Sequence, residues 1–517
     1  MSVLEVTFES AQSAVDTIKA SNDILKNYFG SDSTSTSSIS TQISDLNVKY
    51  FSTMNSYVDS ITTNADSAIA GAQYYLDSLA DMGSNDPGDV NDSDFGNGDD
   101  STSHDGPETI AALAAEIINQ LASLVESGAI SEETSQAIQD LINQLQELNA
   151  NGTLSDATTQ SVLETIQDLL ELAAQGKLSD TSVALTVATI KDLLNLAANG
   201  AISEATVALT VATIKDLLAL VVDGKISEAT YAETVQTIKD LLALVADGKI
   251  SEATFAQTVQ TIKDLAALVA DGKISEATFA ETVGTIKDLT ALVANGTISE
   301  AEFARAVQTI KSLAGLVAEG KISEATFAQS VKTIKGLTQL LAEGKISAAT
   351  FAQYNEYINK LTELLCTGYI NEEMFAKEIN AIQMMSSLLA EGKITETEYT
   401  SYVESSRAML KLFADGKIDF NKYQEIFNAN DKGVQLLSNQ KISTDTFTKT
   451  ENVYTKMCTA YEKESVSKEE FNTVGDSIDK CLDGIESGTI QEDAYKKDIE
   501  NVLKTLETIN EENSNSK

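Results

Sequence analysis

The sequence is poor in the residue types that support enzyme chemistry. Its 517 residues include no Trp, two Pro, one His and three Cys. One histidine and three cysteines leave few ligands for a zinc site, and three cysteines cannot form a closed set of disulfides. We therefore expect no catalytic, cofactor-binding or metal-binding residues and no cofactor, and we do not interpret the chain as an enzyme.

Basic residues are also scarce. The chain has 36 Lys and Arg against 78 Asp and Glu, a formal net charge of -42. Such a polyanion is not expected to bind nucleic acid or an anionic membrane surface. Hydrophobic residues nevertheless make up 42% of the chain, which is enough to build a folded core.

The start of the sequence lacks a secretory signal. Met1-Ser2-Val3-Leu4-Glu5 has no basic region and no apolar stretch follows it, and the longest apolar runs anywhere span about seven residues. No membrane-inserted helix is expected. The localisation predicted from these features is cytoplasmic, or exported without a classical signal peptide, with a secreted or bacterial-surface location possible.

An internal repeat organises everything after residue 107. Glycines recur every 24 residues without insertion or deletion, at positions 128, 152, 176, 200, 224, 248, 272, 296, 320, 344, 368, 392, 416 and 488. Gln440 and Glu464 fill the two remaining places in this series. A strict period of this length indicates a repeat architecture in which each unit packs on its neighbours.

Each 24-residue unit predicts one helix and one turn. Gly224 fits the left-handed position that follows a helix, and Ser227 is a good N-cap for the next one. Ile226 and Tyr231 have the spacing of a hydrophobic staple. The helix is predicted to run from Glu228 to Ala246, where the following glycine ends it.

The helix surface is mostly apolar. A central stripe and its two flanks leave only a narrow polar strip, led by Glu233, Gln236 and Asp240. Such a helix needs several neighbours, and short turns make consecutive helices antiparallel. We predict an all-α fold in which a two-layer α-solenoid of about seventeen antiparallel helices forms a rod, roughly 65–80 Å long at about 8–10 Å per same-layer step.

Four regions are predicted along the chain. Residues 1–82 carry heptad-like apolar patterns and form a helical hairpin, and residues 83–107 form an acidic disordered linker rich in Asp and Gly. The 24-residue repeats occupy residues 108–510. Residues 511–517 form a disordered tail.

The repeated turn superficially resembles half of a calcium-binding loop. Placing Asp223 and Gly224 at the fifth and sixth positions of such a loop puts Ala219 first, Val221 third and Thr230 twelfth. An EF-hand loop needs oxygen ligands at those places, and Ala and Val cannot supply them. The turn interpretation is favoured over a calcium site.

Two features of the linker could have chemical roles. Its acidic and amide side chains could collect divalent cations weakly, although a solvated spacer is the favoured interpretation; they are Asp89, Asn91, Asp92, Asp94, Asp99 and Asp100. His104 is the only histidine, and it lies far from any predicted rigid scaffold. General acid–base use of this residue is not expected.

Further candidates occur within the repeats. By register, Cys458 and Cys481 correspond to core leucines and Cys366 to Ala246, so all three are predicted to be buried free thiols. Thr234 and Thr237 lie at the margin of the apolar arc, where hydroxyls either bond back to the preceding turn or bind a ligand, and back-bonding is favoured. The repeated acids are interpreted as a solvated face.

The repeat turn resembles a known motif. Residues 388–399, Leu-Leu-Ala-Glu-Gly-Lys-Ile-Thr-Glu-Thr-Glu-Tyr, are similar to the short C-terminal helical hairpin (SHOCT-type) motif of bacterial proteins, in which a Gly-x-Ile-Thr turn joins two amphipathic helices. The resemblance implies assembly or protein interaction and no chemistry. Here the motif is reiterated in tandem, whereas that family usually has one copy.

The N-terminal region resembles a second family. In size and hairpin plan residues 1–82 are similar to N-terminal modules of WXG/LXG-type substrates of bacterial type VII secretion, and Tyr28-Phe29-Gly30 stands where that family has Trp-x-Gly. The Tyr-x-x-x-acid signal of the family is missing, because Ser78 and Leu79 follow Tyr74 and Tyr75 at that spacing. The resemblance implies export without a signal peptide.

These features predict a non-enzymatic structural or interaction protein, a rigid helical-repeat spacer or scaffold with an N-terminal hairpin for docking or export. One alternative is a protein-binding helical-repeat module, and another is an exported type VII secretion substrate or effector. A protein partner is expected through the hairpin or the solenoid surface. The oligomeric state is left open.

Overall fold

A computed structural model describes residues 107–515 of the chain, and the side chains of residues 110–509 within it. This region is all-helical, with seventeen helices and no strand. The helix count agrees with the number predicted from the glycine period. The predicted hairpin of residues 1–82, the linker up to residue 106 and His104 lie outside the described residues.

The helices are numbered α1 to α17 in chain order. They are α1 Pro107–Glu126, α2 Glu132–Ala150, α3 Asp156–Ala174, α4 Asp180–Ala198, α5 Glu204–Val222, α6 Glu228–Ala246, α7 Glu252–Ala270, α8 Glu276–Ala294, α9 Glu300–Ala318, α10 Glu324–Ala342, α11 Ala348–Cys366, α12 Glu372–Ala390, α13 Glu396–Ala414, α14 Phe420–Ser438, α15 Thr444–Glu462, α16 Lys468–Ser487 and α17 Glu492–Asn515. The last helix continues five residues beyond the predicted end of the repeats.

Helix ends follow the predicted turn chemistry. Ser227 caps α6 by accepting a hydrogen bond from the Thr230 backbone. At the other end, the backbone N–H groups of Gly248 and Lys249 donate to the carbonyls of Val245 and Leu244, a Schellman motif. Gly248 has a φ of 66°, and the other glycines of the 24-residue series are also in the left-handed region.

The same backbone conformation is kept where glycine is absent. Gln440 and Glu464 have φ values of 56° and 57°. A side chain in this region costs roughly 1–2 kcal/mol because its Cβ crowds the neighbouring carbonyl. The packing of the flanking helices therefore overrides a local preference at these two turns.

Each helix packs mainly against the next helix but one, and less extensively against its neighbour in sequence. The predicted central stripe is buried, as Tyr231, Val235 and Ile238 of α6 show. Ala243 and Ala246, which flank this stripe in helical phase, are exposed. Because alanine exposes only one methyl group, these positions can face water at little cost.

Helix α5 is the most apolar of the array. Among the described residues it alone has the length and composition that a membrane span requires. More than half of its most apolar stretch (56%) is buried inside the protein, by packing against other helices. The apolar composition is accounted for by the repeat core.

Candidate functional site

The turn that resembles half of a calcium loop is built as a helix-to-helix connection. Gly248 ends α6, Ile250 is buried, and Ser251 caps α7 through the backbone of Thr254. No group of three or more His, Cys, Asp or Glu side chains suited to a metal occurs in residues 107–515. The Asp-rich linker is not among these residues.

The cysteines differ from their predicted environment in one case. Cys458 is buried and Cys481 is partly buried, but Cys366 is exposed. The prediction for Cys366 was wrong because it corresponds to Ala246, a position on the outer surface of the array. Burial raises the pKa of the Cys458 thiol well above its usual range, so this thiol is not an activated nucleophile.

The repeated threonines are buried and satisfied within their own helix. Thr234 Oγ1 donates to the Thr230 carbonyl at 2.7 Å, and Thr237 Oγ1 donates to the Glu233 carbonyl at 2.9 Å. The predicted back-bonding to the preceding turn is confirmed. These hydroxyls line the contact between repeats and no open channel.

The repeated acids lie on the outer surface. Glu233 is exposed and Asp240 is partly buried. The Glu233 carboxylate lies 3.6 Å from Lys287 Nζ, two helices further along the chain. Each such exposed pair contributes little to stability, since water screens both charges.

A second set of acids has a role that the sequence analysis missed. Glu276 stands at the first position of α8, and its Oε1 accepts hydrogen bonds from the Ser227 backbone N–H at 2.7 Å and from Thr230 Oγ1 at 2.6 Å. Ser227 is the N-cap of α6. One carboxylate therefore completes the cap of the helix two positions earlier.

This arrangement recurs along the array. At ten helix starts in residues 107–515 the N-cap serine donates its backbone N–H to an acidic side chain 49 residues later, at 2.7–2.9 Å; the serines are Ser131, Ser155, Ser179, Ser203, Ser227, Ser251, Ser275, Ser323, Ser347 and Ser443. The Ser227 and Thr230 side chains hold the pKa of Glu276 below its usual range. The carboxylates are therefore ionised at neutral pH.

Helix C-termini are completed in the opposite direction. Lys225, in the turn after α5, donates from Nζ to the Ala270 carbonyl at the end of α7 at 2.7 Å. Lys249 does the same to the Ala294 carbonyl of α8 at 2.6 Å. Neither α7 nor α8 has a basic residue in its own last turn, so the lysine supplies the positive charge that the helix dipole favours there.

Together these bonds form what we term the turn ladder. In each full step the lysine of one turn donates to the last carbonyl of the helix two positions beyond the one that the turn follows. The acid at the start of the helix after that accepts from the serine cap in the lysine's own turn. The step at Lys225 and Ser227, which reach Ala270 and Glu276, is representative. Because the two partners differ by close to two repeats in sequence, the ladder links turns on the same edge of the array.

The sequence carries a signal for this ladder. Ala348 replaces the acid that would reach Ser299, and there the third residue of the helix is Glu302, which forms a capping box with Ser299. Thr395 and Ser467 also lack an acid 49 residues later, and both form capping boxes with their own glutamates. The ten serines that have a distant acid are followed instead by Thr or Ser at that third position.

One step of the ladder is aromatic. Tyr369 occupies the lysine position and Phe420 the acid position, and both rings lie about 6 Å from the ring of Phe413, at 6.3 Å and 6.1 Å between centroids. Tyr369 is 63% exposed, the most of any large hydrophobic side chain in the described region. This step places an aromatic patch on a surface otherwise rich in alanine and charge.

The core also changes character in the C-terminal part of the array. Glu378 of α12 is fully buried at the register position of Thr234. Tyr357 of α11 and Tyr423 of α14 donate to its two carboxyl oxygens. Burial raises the pKa of Glu378 to about 7 despite these two hydrogen bonds.

A second buried acid lies three helices further along the chain. Glu451 of α15 occupies the register position of Val235 and is fully buried. Ser405 of α13 donates to it, and the Asn430 amide of α14, oriented with its nitrogen toward the carboxyl, donates at 2.7 Å. Burial raises the pKa of Glu451 to about 8.

Four of these residues could have been found from the repeat register, since Tyr357, Glu378, Tyr402 and Glu451 occupy positions that are Thr or Val in the central units. We refer to Tyr357, Glu378, Tyr402, Ser405, Tyr423, Asn430 and Glu451 as the buried acid cluster. Tyr402 of α13 lies in the field of both acids, and burial together with their charge raises its pKa. The cluster spans five consecutive helices.

No protein-family model and no curated protein matches the chain. The ladder satisfies helix ends across repeats, which is a means of assembly. The buried acid cluster is closed to water in this structure, as its carboxyls are fully buried.

Proposed function

We propose that the chain is a non-enzymatic spacer or scaffold whose repeats form a rigid two-layer α-solenoid. Alternate helices belong to alternate layers, which accounts for the dominance of contacts between each helix and the next but one. The shared core supports this architecture, because each helix buries its stripe against helices on both sides.

The single observation that carries the proposal is the turn ladder. In most repeat arrays adjacent units are coupled through apolar packing, whereas here helix ends also depend on the units two positions away. Such coupling opposes opening of one unit and bending between units. The exposed acids support solubility, since the net charge of the chain is -42.

An in-register deletion tests the spacer function. Removal of residues 225–272 joins Gly224 directly to Lys273 and brings Glu300 to the place of Glu252, the partner of Ser203. We expect the full chain without these 48 residues to remain folded and to shorten by one step in each layer, measured by small-angle scattering. A compact particle, or one of unchanged length, contradicts the proposal.

A second function, protein binding, is favoured by the aromatic step. Tyr369 and Phe420 replace the lysine and the acid that most ladder steps have at these two positions, and the Tyr369 side chain remains exposed. Aromatic side chains are enriched in protein–protein contacts. The double substitution Tyr369→Lys and Phe420→Glu restores the polar step and should abolish partner capture while it preserves the melting temperature.

The predicted N-terminal hairpin is proposed to serve docking or export. The resemblance of residues 1–82 to WXG/LXG-type substrates of bacterial type VII secretion supports this. Detection of the protein in culture medium, and its loss when the type VII secretion ATPase is removed, would support export. Retention in cells in both cases would contradict it, and the spacer function would be unaffected.

A further inference from the structure

The buried acid cluster is unlike the rest of the array in composition and packing. The hydroxyls of Thr186 in α4 and Tyr231 in α6 meet at 2.9 Å, and those of Thr450 in α15 and Tyr495 in α17 do the same. Between α11 and α13 the contact is instead a stack of two large rings, Tyr354 and Tyr399, with centroids 4.3 Å apart. Helices α11 and α13, and helices α12 and α14, contact each other less extensively than the corresponding pairs of the central units, whereas α13 and α15 have the most extensive contact of the array.

Both acids lie in this region without a cation. In the described part of the chain no Lys or Arg bonds to Glu378 or Glu451. Lys377, next to Glu378 in sequence, is paired with Glu373 at the surface. Each carboxyl is held only by hydroxyl or amide donors, and these cannot neutralise a charge.

The groups that face Glu378 are neutral or negative. Tyr357, Tyr402 and Tyr423 surround it from α11, α13 and α14, and Asp431 of α14 adds a negative charge. Lys332 of α10 is exposed and forms no ion pair with Glu378 in the described region. Ionisation of Glu378 would therefore find no compensating charge.

The surroundings of Glu451 are similar. The facing tyrosines come from α13, α15 and α17, and they are Tyr402, Tyr454 and Tyr495. The Tyr454 hydroxyl is buried without a hydrogen-bond partner in the described region. The nearest lysine of α14, Lys432, is engaged by Asp479 and Asp483 of α16.

We propose that helices α11–α15 form a pH-responsive joint in the array, which is closed while the Glu378 and Glu451 carboxyls are protonated and opens when they ionise. In the closed state both carboxyls are neutral and belong to hydrogen-bonded groups that join helices α11 to α15. On ionisation the carboxyl O–H bond breaks and the proton passes to solvent. The remaining charge needs water, which can reach it only if the helices separate.

Opening is favoured as pH rises. Each carboxyl has an ordinary pKa of 4.5, and burial raises it to about 7 for Glu378 and about 8 for Glu451. A pKa raised in the closed state means that the closed state binds protons more tightly than the open one. The closed joint is thus most stable below about pH 4.5, and stability is lost as pH rises through the range of these two values.

Hydrogen exchange of the full chain, followed by mass spectrometry, tests the joint. Exchange in α11–α15 is compared with exchange in α6–α8 of the same molecule, which corrects for the effect of pH on chemical exchange. Between about pH 5.5 and about pH 8.5 we expect opening of α11–α15 to increase at least about tenfold relative to α6–α8, since each unit of pKa displacement corresponds to a factor of ten.

Variants separate the joint from general acid effects. Glu378→Gln together with Glu451→Gln keeps the side-chain volume and removes ionisation, so the relative exchange should no longer change with pH. Glu404→Gln, on the exposed side of α13, is the matched control and should behave as the wild type.

Two outcomes would overturn the proposal. One is a wild-type exchange ratio that stays constant within about twofold over this pH range. The other is a pH dependence that persists in the double variant. If the double variant does not fold, the wild-type comparison still decides, and each single variant should lose part of the pH response.

Discussion

The turn ladder predicts that an acid stabilises a helix to which it does not belong. Substitution Glu276→Ala removes the acceptor for the Ser227 N–H and Thr230 Oγ1 at the start of α6, while α8, its own helix, keeps its Ser275 cap. Loss of a helix cap costs about 1 kcal/mol, and hydrogen bonds to a charged acceptor about 1.5–3 kcal/mol when buried. Because this carboxylate is partly exposed, we expect a total loss of about 1–2 kcal/mol.

The loss should be local. A change of about 1–2 kcal/mol raises the opening equilibrium roughly 5- to 30-fold. Hydrogen exchange in a peptide covering residues 225–235 should accelerate by this factor, whereas exchange at the start of α8 should change little. Local exchange is the suitable measure because long repeat arrays need not unfold in a two-state manner.

The chain itself supplies the rescue. Where Ala348 replaces the acid, Glu302 closes a capping box on Ser299. The double variant Thr230→Glu with Glu276→Ala copies that arrangement, and we expect it to recover most of the lost protection. Thr230→Glu alone should destabilise the step, because two carboxylates then compete for the same donors. Unchanged exchange in Glu276→Ala, or absence of rescue, would refute the cross-repeat cap.

Three further outcomes are expected. Gln440→Gly should stabilise the array by about 1 kcal/mol because the φ of Gln440 is 56°, a conformation that favours glycine. Gly272→Ala, at a φ of 67°, should destabilise the array by a similar amount. Both effects are measured as shifts of the denaturation midpoint, and opposite signs would contradict the turn geometry. Gly315→Ala should stabilise by about 0.5–1 kcal/mol, since an added Cβ on this exposed helical residue meets no atom, and a loss would show an unrecognised contact. Stability should be greatest between about pH 5 and 6, and a thermal-unfolding series with its maximum outside this window would contradict the prediction. Ladder carboxylates with lowered pKa values, such as Glu276, lose their stabilising contribution as pH falls below 4.5. Glu378 and Glu451 lose theirs as pH rises toward about 7 and about 8.

Much of the fold follows from local rules. The predicted helix of residues 228–246 matches α6 at both ends, because Ser227 and Gly248 specify the caps within a few residues of chain. Local rules did not apply at Gln440 and Glu464, where the 24-residue register alone placed a turn and the backbone is left-handed although glycine is absent. Local capping rules did not reveal where the first-turn glutamates point, since their partners are 49 residues away.

The candidate sites divide in the same way. Back-bonding of Thr234 and Thr237 was predictable because each donor and acceptor belong to one helical turn. Exposure of Cys366 was not, because its helical phase lies at the edge of the apolar arc, where a small rotation decides between core and solvent. Glu378 was missed; the repeat register shows it as a departure from Thr, but register alone does not show which donors surround it.

The sequence by itself determined the number of helices, their ends and the central buried stripe in residues 107–515, since period, caps and hydrophobic spacing are encoded within single units. Tertiary structure decided which groups meet across units. It placed Glu276 on the cap of α6 and closed Glu378 and Glu451 into a core without a cation. The physical reason is that packing brings together residues far apart in sequence, and only their proximity sets their hydrogen bonds and the pKa values of their carboxyls.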